Sequence, residues 1–180
     1  SEYSDIPQGR ERIFIVGFRG EKSFRYQAPI KINDLRDLDR APLSSNFTIP
    51  PPLGKAPRPV VVFLEPETAE PSDFYGDTNS KVHQRVRDAV TKPGIVYQYR
   101  RWFVRENKSN VCPTLTANMG LGGHNIPIVL DKPFPRRLSP KECFNLQGFK
   151  DFKIPADVSK VHLYRQCGNS VVVPLVEKIA

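Results

Sequence analysis

A chain of 180 residues with 39% hydrophobic side chains is long enough for one full domain, or a domain with pieces of a second, and apolar enough to bury a core. Eighteen prolines, about twice ordinary usage, argue against long uninterrupted helices and exclude an all-helical bundle. No apolar run approaches the roughly 20 residues of a membrane-spanning helix, and no signal-peptide pattern opens the chain.

The formal charge of +8 is unevenly spread. Residues 81–108 hold eight Lys or Arg against only Asp88 and Glu106, a local charge of +6. The stretch 59–80 has no Lys or Arg and carries Glu65, Glu67, Glu70, Asp73 and Asp77. Such a cluster fits a surface that faces a polyanion, and by charge alone it fits a solvated face equally well. Cys112, Cys143 and Cys167 are odd in number and lack CxxC spacing, so reduced cytoplasmic thiols are expected rather than disulfides or a zinc knuckle. His83, His124 and His162 show no ligand spacing, and no metal site is expected. The chain opens on Ser1 rather than Met, within a few residues of a dense motif, which fits a trimmed fragment or a processed subunit.

In chain order, residues 13–18 (IFIVGF) predict a buried, parallel strand of an α/β sheet. Residues 33–40 allow a helical turn. Pro42, Pro50, Pro51, Pro52, Pro57 and Pro59 then mark an irregular connection and a domain boundary. Residues 60–64 read as a strand, and the acidic stretch after them as loop. Ser80 is a helix N-cap, with Val82, Val86, Ala89 and Val90 at helical spacing until Pro93-Gly94. Residues 95–104, 111–116 and 126–130 predict strands, the last two joined by a glycine-rich turn over 120–125. Ser139-Pro140-Lys141-Glu142 is a capping-box helix start that should end near Gly148. A helix over 157–166 is expected to break at Gly168-Asn169-Ser170, before a last helix that tolerates Pro174 only in its first turn.

Four segments in order resemble the C-terminal motifs of DNA cytosine-5 methyltransferases. They are Gln8-Gly9-Arg10-Glu11-Arg12 leading into IFIVGF; Cys112-Pro113-Thr114-Leu115-Thr116-Ala117-Asn118; Arg137-Leu138-Ser139-Pro140-Lys141-Glu142 through Asn145-Leu146-Gln147-Gly148-Phe149; and Tyr164-Arg165-Gln166-Cys167-Gly168-Asn169-Ser170-Val171-Val172. The resemblance implies a mixed α/β chain. Residues 1–40 would be a strand and flank of a Rossmann-like catalytic domain, 41–150 a small β-rich target-recognition domain and hinge, and 151–180 helices returning to the catalytic domain. The family's Pro-Cys-Gln nucleophile loop, Glu-Asn-Val segment and early glycine-rich cofactor loop have no counterpart in this sequence. The three cysteines read as structural thiols.

By resemblance, Arg12 would donate to a cytosine flipped from the duplex and Arg10 would hold the adjoining backbone or order the site; from residue types alone, both also fit surface arginines bracketing a strand. Asn169, Ser170 and Val171 are the candidates beside S-adenosyl-L-methionine, ahead of a helix whose first amides could receive a carboxylate; an ordinary helix cap would look the same. Duplex DNA would be read by Arg100, Arg101, Arg105 and Lys108, interleaved with Tyr97, Tyr99, Trp102 and Phe103 as anchoring rings, and by Thr114, Asn118, Gly122, Gly123 and His124. The glycines fit a plain hairpin turn as well as a close backbone approach to DNA. The chain would then be the second chain of a two-polypeptide, bacterial, cytoplasmic methyltransferase, or an excised C-terminal portion of a one-chain enzyme, inactive alone and completed by a polypeptide bearing the missing motifs. A non-catalytic DNA-binding module and a basic RNA-binding protein are the rival readings.

Overall fold

The computed structural model describes residues 2–10, 12, 14, 50–107, 109–121, 126–149 and 151–180. The expected strand at 13–18, apart from Phe14, lies outside these residues, as do the helical turn at 33–40, Lys108, and the loop residues Gly122, Gly123, His124 and Asn125.

Strands β1 (Tyr97–Arg100), β2 (Phe103–Glu106), β3 (Ile126–Asp131) and β4 (Phe134–Arg137) form one antiparallel sheet in the order β2-β1-β3-β4. The pleat sends alternate residues of β3 to opposite faces. Ile128 joins Tyr97, Tyr75, Val86 and Val90 in a cluster formed with helix α1 (Lys81–Ala89). Val129 instead joins the larger core, with Leu115, Leu138, Cys143, Leu146, Leu163 and Tyr164. That core gathers helices α2 (Pro140–Asn145) and α3 (Lys160–Asn169); α4 (Val173–Ile179) ends the chain. The mixed α/β class is as expected, and among the described residues the sheet spans residues 97–137.

The polar signals placed the helix starts well. Ser80 caps α1 by accepting from His83 N. In α2 the capping box is complete: Glu142 N donates to Ser139 Oγ at 3.2 Å, and Ser139 N donates to Glu142 Oε2 at 2.7 Å. Gly148 follows α2 at φ +86°, and Pro174 lies in the first turn of α4.

Four expectations are corrected. The strand at 95–104 is a two-strand hairpin, with Arg101 and Trp102 at φ 48° and 72° in a two-residue turn; the Asn-Gly or Asp-Gly pair that announces such a turn is absent. Residues 60–64 are no strand. Val60–Phe63 form a 3-10 turn, in which Val60 and Phe63 are buried while Val61 and Val62 are exposed, a spacing of three rather than two. Residues 111–116 contribute only a single parallel bridge, Cys112 to Gln8. Helix α3 starts at Lys160 and continues through Gly168 and Asn169, so the chain breaks at Ser170. The sequence reading also missed β4, because Pro133 and Pro135 flank and interrupt it; an end position in the sheet tolerates Pro135.

Buried charge ties the sheet to the helices. Arg136 on β4 is fully buried and donates to both carboxylate oxygens of Glu142 at 2.8 Å, and through Nε to Asp131 at 2.7 Å. Glu142 therefore caps its own helix and neutralises a buried guanidinium at once. A second knot centres on Asp73, which accepts from Arg137 Nε at 2.6 Å and from Lys160 Nζ at 2.5 Å. It links the 3-10 turn Pro71–Asp73, within the acidic stretch, to β4 and α3.

Candidate functional site

The first and second of the four motif segments lie side by side. Cys112 N donates to Pro7 O at 2.6 Å and Gly9 N donates to Cys112 O at 2.9 Å, while Thr114 Oγ1 donates to Gly9 O. Gln8, buried, donates from Nε2 to Leu146 O at 2.9 Å, which fixes the same strip of chain against the end of α2.

Arg10 is the centre of the arrangement. Its Nη1 donates to Leu115 O at 2.8 Å, and its Nη2 donates to Gly168 O at 2.8 Å and to Ser170 O at 2.5 Å. One guanidinium thus gathers three segments that are distant in sequence, a task suited to a planar fork of donors. Burial, and then the like charge of Arg12, hold the Arg10 pKa below its ordinary value; the Arg12 charge is near enough to be felt. Arg12 itself is exposed.

The approach of α3 to the Thr-Leu stretch requires a residue without a side chain. A Cβ on Gly168 would lie 2.3 Å from Ala117 N and from the Thr116 carbonyl carbon, both backbone atoms that cannot step aside. Gly120 is bound by a similar constraint, since its Cβ would lie 2.6 Å from the Tyr164 ring. It serves packing, while Gly122 and Gly123 lie outside the described residues.

After α3 the chain turns through Ser170, whose hydroxyl donates to Cys167 O at 2.7 Å. Asn169 and Val171 are exposed on either side of it. The first amide of α4 is not available to a carboxylate, as had been expected of this helix start: Val173 N donates to Gln147 O at 2.8 Å. An adenosine-bearing cofactor requires an apolar wall with polar groups at its rim, and exposed Val171 beside the exposed amide of Asn169 fits one side of such a wall.

The three cysteines are buried and free. Burial pushes the Cys112 thiol up, and burial together with the neighbouring Cys167 does the same to Cys143, so these thiols stay protonated and pack as small hydrophobes. Among the described residues no group of His, Cys, Asp or Glu could hold a metal ion, and no helix is long and apolar enough to cross a membrane.

The basic hairpin is a separate feature. Arg100, Arg101 and Arg105 are exposed and make no ion pair among the described residues, whereas Glu106 is taken by Lys92 at 2.9 Å. Tyr97 is buried as an anchor, but Trp102 and Phe103 are not anchoring rings: they are 69% and 66% exposed at the turn. Thr116 Oγ1 donates to Asn118 Oδ1 at 2.8 Å, which leaves the Asn118 amide nitrogen free of that contact.

The family profile of C-5 cytosine-specific DNA methylases matches residues 1–180. The chain belongs to that family. It is 40% identical over 180 residues to the type II methyltransferase M.Bsp6I of Bacillus sp. (strain RFL6), covering 99% of this chain and 50% of that protein. It is 32% identical over 176 residues to M.SsoII of Shigella sonnei, with 97% and 40% covered, and 31% identical over 196 residues to a DNA-cytosine methyltransferase of Escherichia coli (strain K12), with 97% and 37% covered. The chain spans half or less of the length of these relatives.

Sequence reasoning gave no role to two residues that hold the candidate site together, Gln8 and Gln147. Both lie inside segments that carry the resemblance, and only the folded chain, with Gln8 Nε2 on Leu146 O and Gln147 Nε2 on Cys167 O, gives them roles. The core ion pair of Arg136, outside that site, could have been suspected, because Arg136 adjoins a capping-box helix whose Glu142 offers a carboxylate six residues on.

Proposed function

We propose that this chain is the target-recognition and pocket-closing part of a DNA cytosine-5 methyltransferase, which transfers a methyl group to C5 of cytosine in duplex DNA together with the portion, on the same or a second chain, that carries the Pro-Cys nucleophile. The observation that carries the reading is the Arg10 guanidinium, which binds the Leu115, Gly168 and Ser170 carbonyls together and so assembles the recognition stretch and the Gly-Asn-Ser turn around the Gln-x-Arg-x-Arg segment.

Arg10 donates from both terminal nitrogens to protein carbonyls, so it orders the site. Arg12, exposed and close enough for its charge to be felt at Arg10, meets the flipped cytosine: its charge favours electron density building on the exocyclic O2 carbonyl oxygen as C6 is attacked. Asn169 and Val171 form one side of the S-adenosyl-L-methionine site, and Ser170 shapes it. The bound cofactor supplies the electrophilic methyl group. Arg100, Arg101 and Arg105 face DNA from the hairpin, with Lys108, Thr114, Asn118, Gly122, Gly123 and His124 as the remaining contacts. An arginine bidentate to guanine is worth roughly 1–3 kcal/mol of discrimination.

Mixing the chain with a polypeptide that bears the missing motifs tests this reading. S-adenosyl-L-methionine binding and methylation of duplex DNA should appear only with both present. Binding of duplex DNA with no methyl transfer in the mixture would favour the non-catalytic DNA-binding reading.

A further inference from the structure

Gln147 lies just past α2 and is fully buried. It has two bonds to the Gly-Asn-Ser turn, one at each end. Its side-chain Nε2 donates to Cys167 O at 3.1 Å, immediately before the turn, and its backbone O accepts from Val173 N at 2.8 Å, where α4 begins. Arg10 holds the interior of the same turn through Gly168 O and Ser170 O. The neighbours of Gln147 reinforce the seat: Leu146 O receives Gln8, and a Cβ on Gly148 would lie 2.4 Å from Pro174 Cδ.

The amide is a poor choice for packing alone. Its Oε1 is buried and accepts no hydrogen bond among the described residues. A stranded acceptor destabilises, and a methionine or leucine would fill similar space without one. What only the amide supplies is the donor to Cys167 O.

We propose that Gln147 is a positioning residue for the cofactor side of the pocket: clamping residues 167 and 173 sets where Asn169 and Val171 stand, and so sets affinity for S-adenosyl-L-methionine without contact to it. The inference rests on the reading of that turn as a cofactor wall. It predicts a particular kinetic pattern, because a displaced wall weakens cofactor binding while Arg12 and the DNA-facing hairpin remain in place.

The test is steady-state methylation of duplex DNA by the active enzyme containing this chain, with Gln147→Met, and with Gln147→Glu as a second variant that places an acceptor against the Cys167 carbonyl. KM for S-adenosyl-L-methionine should rise about tenfold, the loss of one buried hydrogen bond, with kcat and KM for DNA within about twofold of wild type. A parallel fall in kcat and rise in both KM values, tracking thermal stability, would reduce Gln147 to a packing residue and overturn the proposal. Val171→Asp separates the two levels. If it raises the cofactor KM while the Gln147 variants do not, the clamp fails alone; if neither moves it, the cofactor-wall reading fails as well.

Discussion

Arg10 and Ser170, 160 positions apart in the chain, are joined by a hydrogen bond of 2.5 Å from a guanidinium nitrogen to a backbone carbonyl. The same nitrogen reaches Gly168 O, so the turn cannot move away from the Gln-x-Arg-x-Arg segment without leaving a half-buried cation short of acceptors. Arg10→Met should therefore destabilise the fold by about 2–3 kcal/mol, since bonds to charged donors are the stronger ones. Urea denaturation of both proteins measures it; an effect under about 0.5 kcal/mol would mean the cluster is not structural.

The packing of α3 on the Thr-Leu stretch gives a second prediction. Gly168→Ala drives a methyl into backbone at 2.3 Å and should cost about 1–3 kcal/mol or more. Gly76→Ala, where a Cβ meets nothing within 4 Å, should be near neutral in the same thermal-unfolding measurement.

The buried pair Arg136 and Glu142 gives a third. Removing one partner leaves a charge in the core, so Glu142→Gln should destabilise by about 3–5 kcal/mol, and Arg136→Met in the same chain should recover part of it. Double-mutant denaturation reads the recovery, and additive losses would argue against the pairing.

Asp73 makes stability depend on acid. Burial alone would raise its carboxyl, but hydrogen bonds from Lys160, Glu70 N and Arg137 outweigh burial and hold the pKa below the ordinary 3.8. A depressed folded-state value contributes stability above the unfolded pKa, lost as pH falls through the folded one. The stability gap between wild type and Asp73→Asn should be constant from neutral pH to about 5 and should close below the ordinary carboxylate value. A gap that widens as pH falls would contradict this.

On the proposed reading, the hairpin tip trades stability for contact with DNA. Arg101 and Trp102 occupy left-handed backbone that costs non-glycine residues about 1–2 kcal/mol each. Replacing the pair by Asn-Gly should raise stability by about 1 kcal/mol or more while weakening duplex DNA binding. Trp102 is the single tryptophan of the chain, so its emission should change when DNA binds. A stabilised variant with unchanged DNA affinity would remove the hairpin from the interface.

Helix starts were legible in the sequence because capping is local: Ser80 and the Ser139–Glu142 box use residues three apart, and the structure carries both. The strand readings fared worse. Valine-rich 60–64 looked like a strand until burial of Val60 and Phe63 showed a period of three, and Arg-Trp at a two-residue turn gave no turn signal. The site was legible as motif order and illegible as geometry. Nothing local to Gln147, Gly168 or Leu115 states that one guanidinium and one amide hold them together, since each contact spans from 20 to 158 positions.

Arg12 is where the reading of the pocket is most exposed to refutation. Methyl transfer from S-adenosyl-L-methionine into duplex DNA, by this chain combined with a polypeptide bearing the Pro-Cys nucleophile, should be robust for wild type. It should fall at least about a hundredfold for Arg12→Ala, with DNA affinity nearly unchanged, the loss of charge stabilisation at the flipped base. Transfer by Arg12→Ala at the wild-type rate would contradict the assignment of this arginine, and with it the pocket built around Arg10.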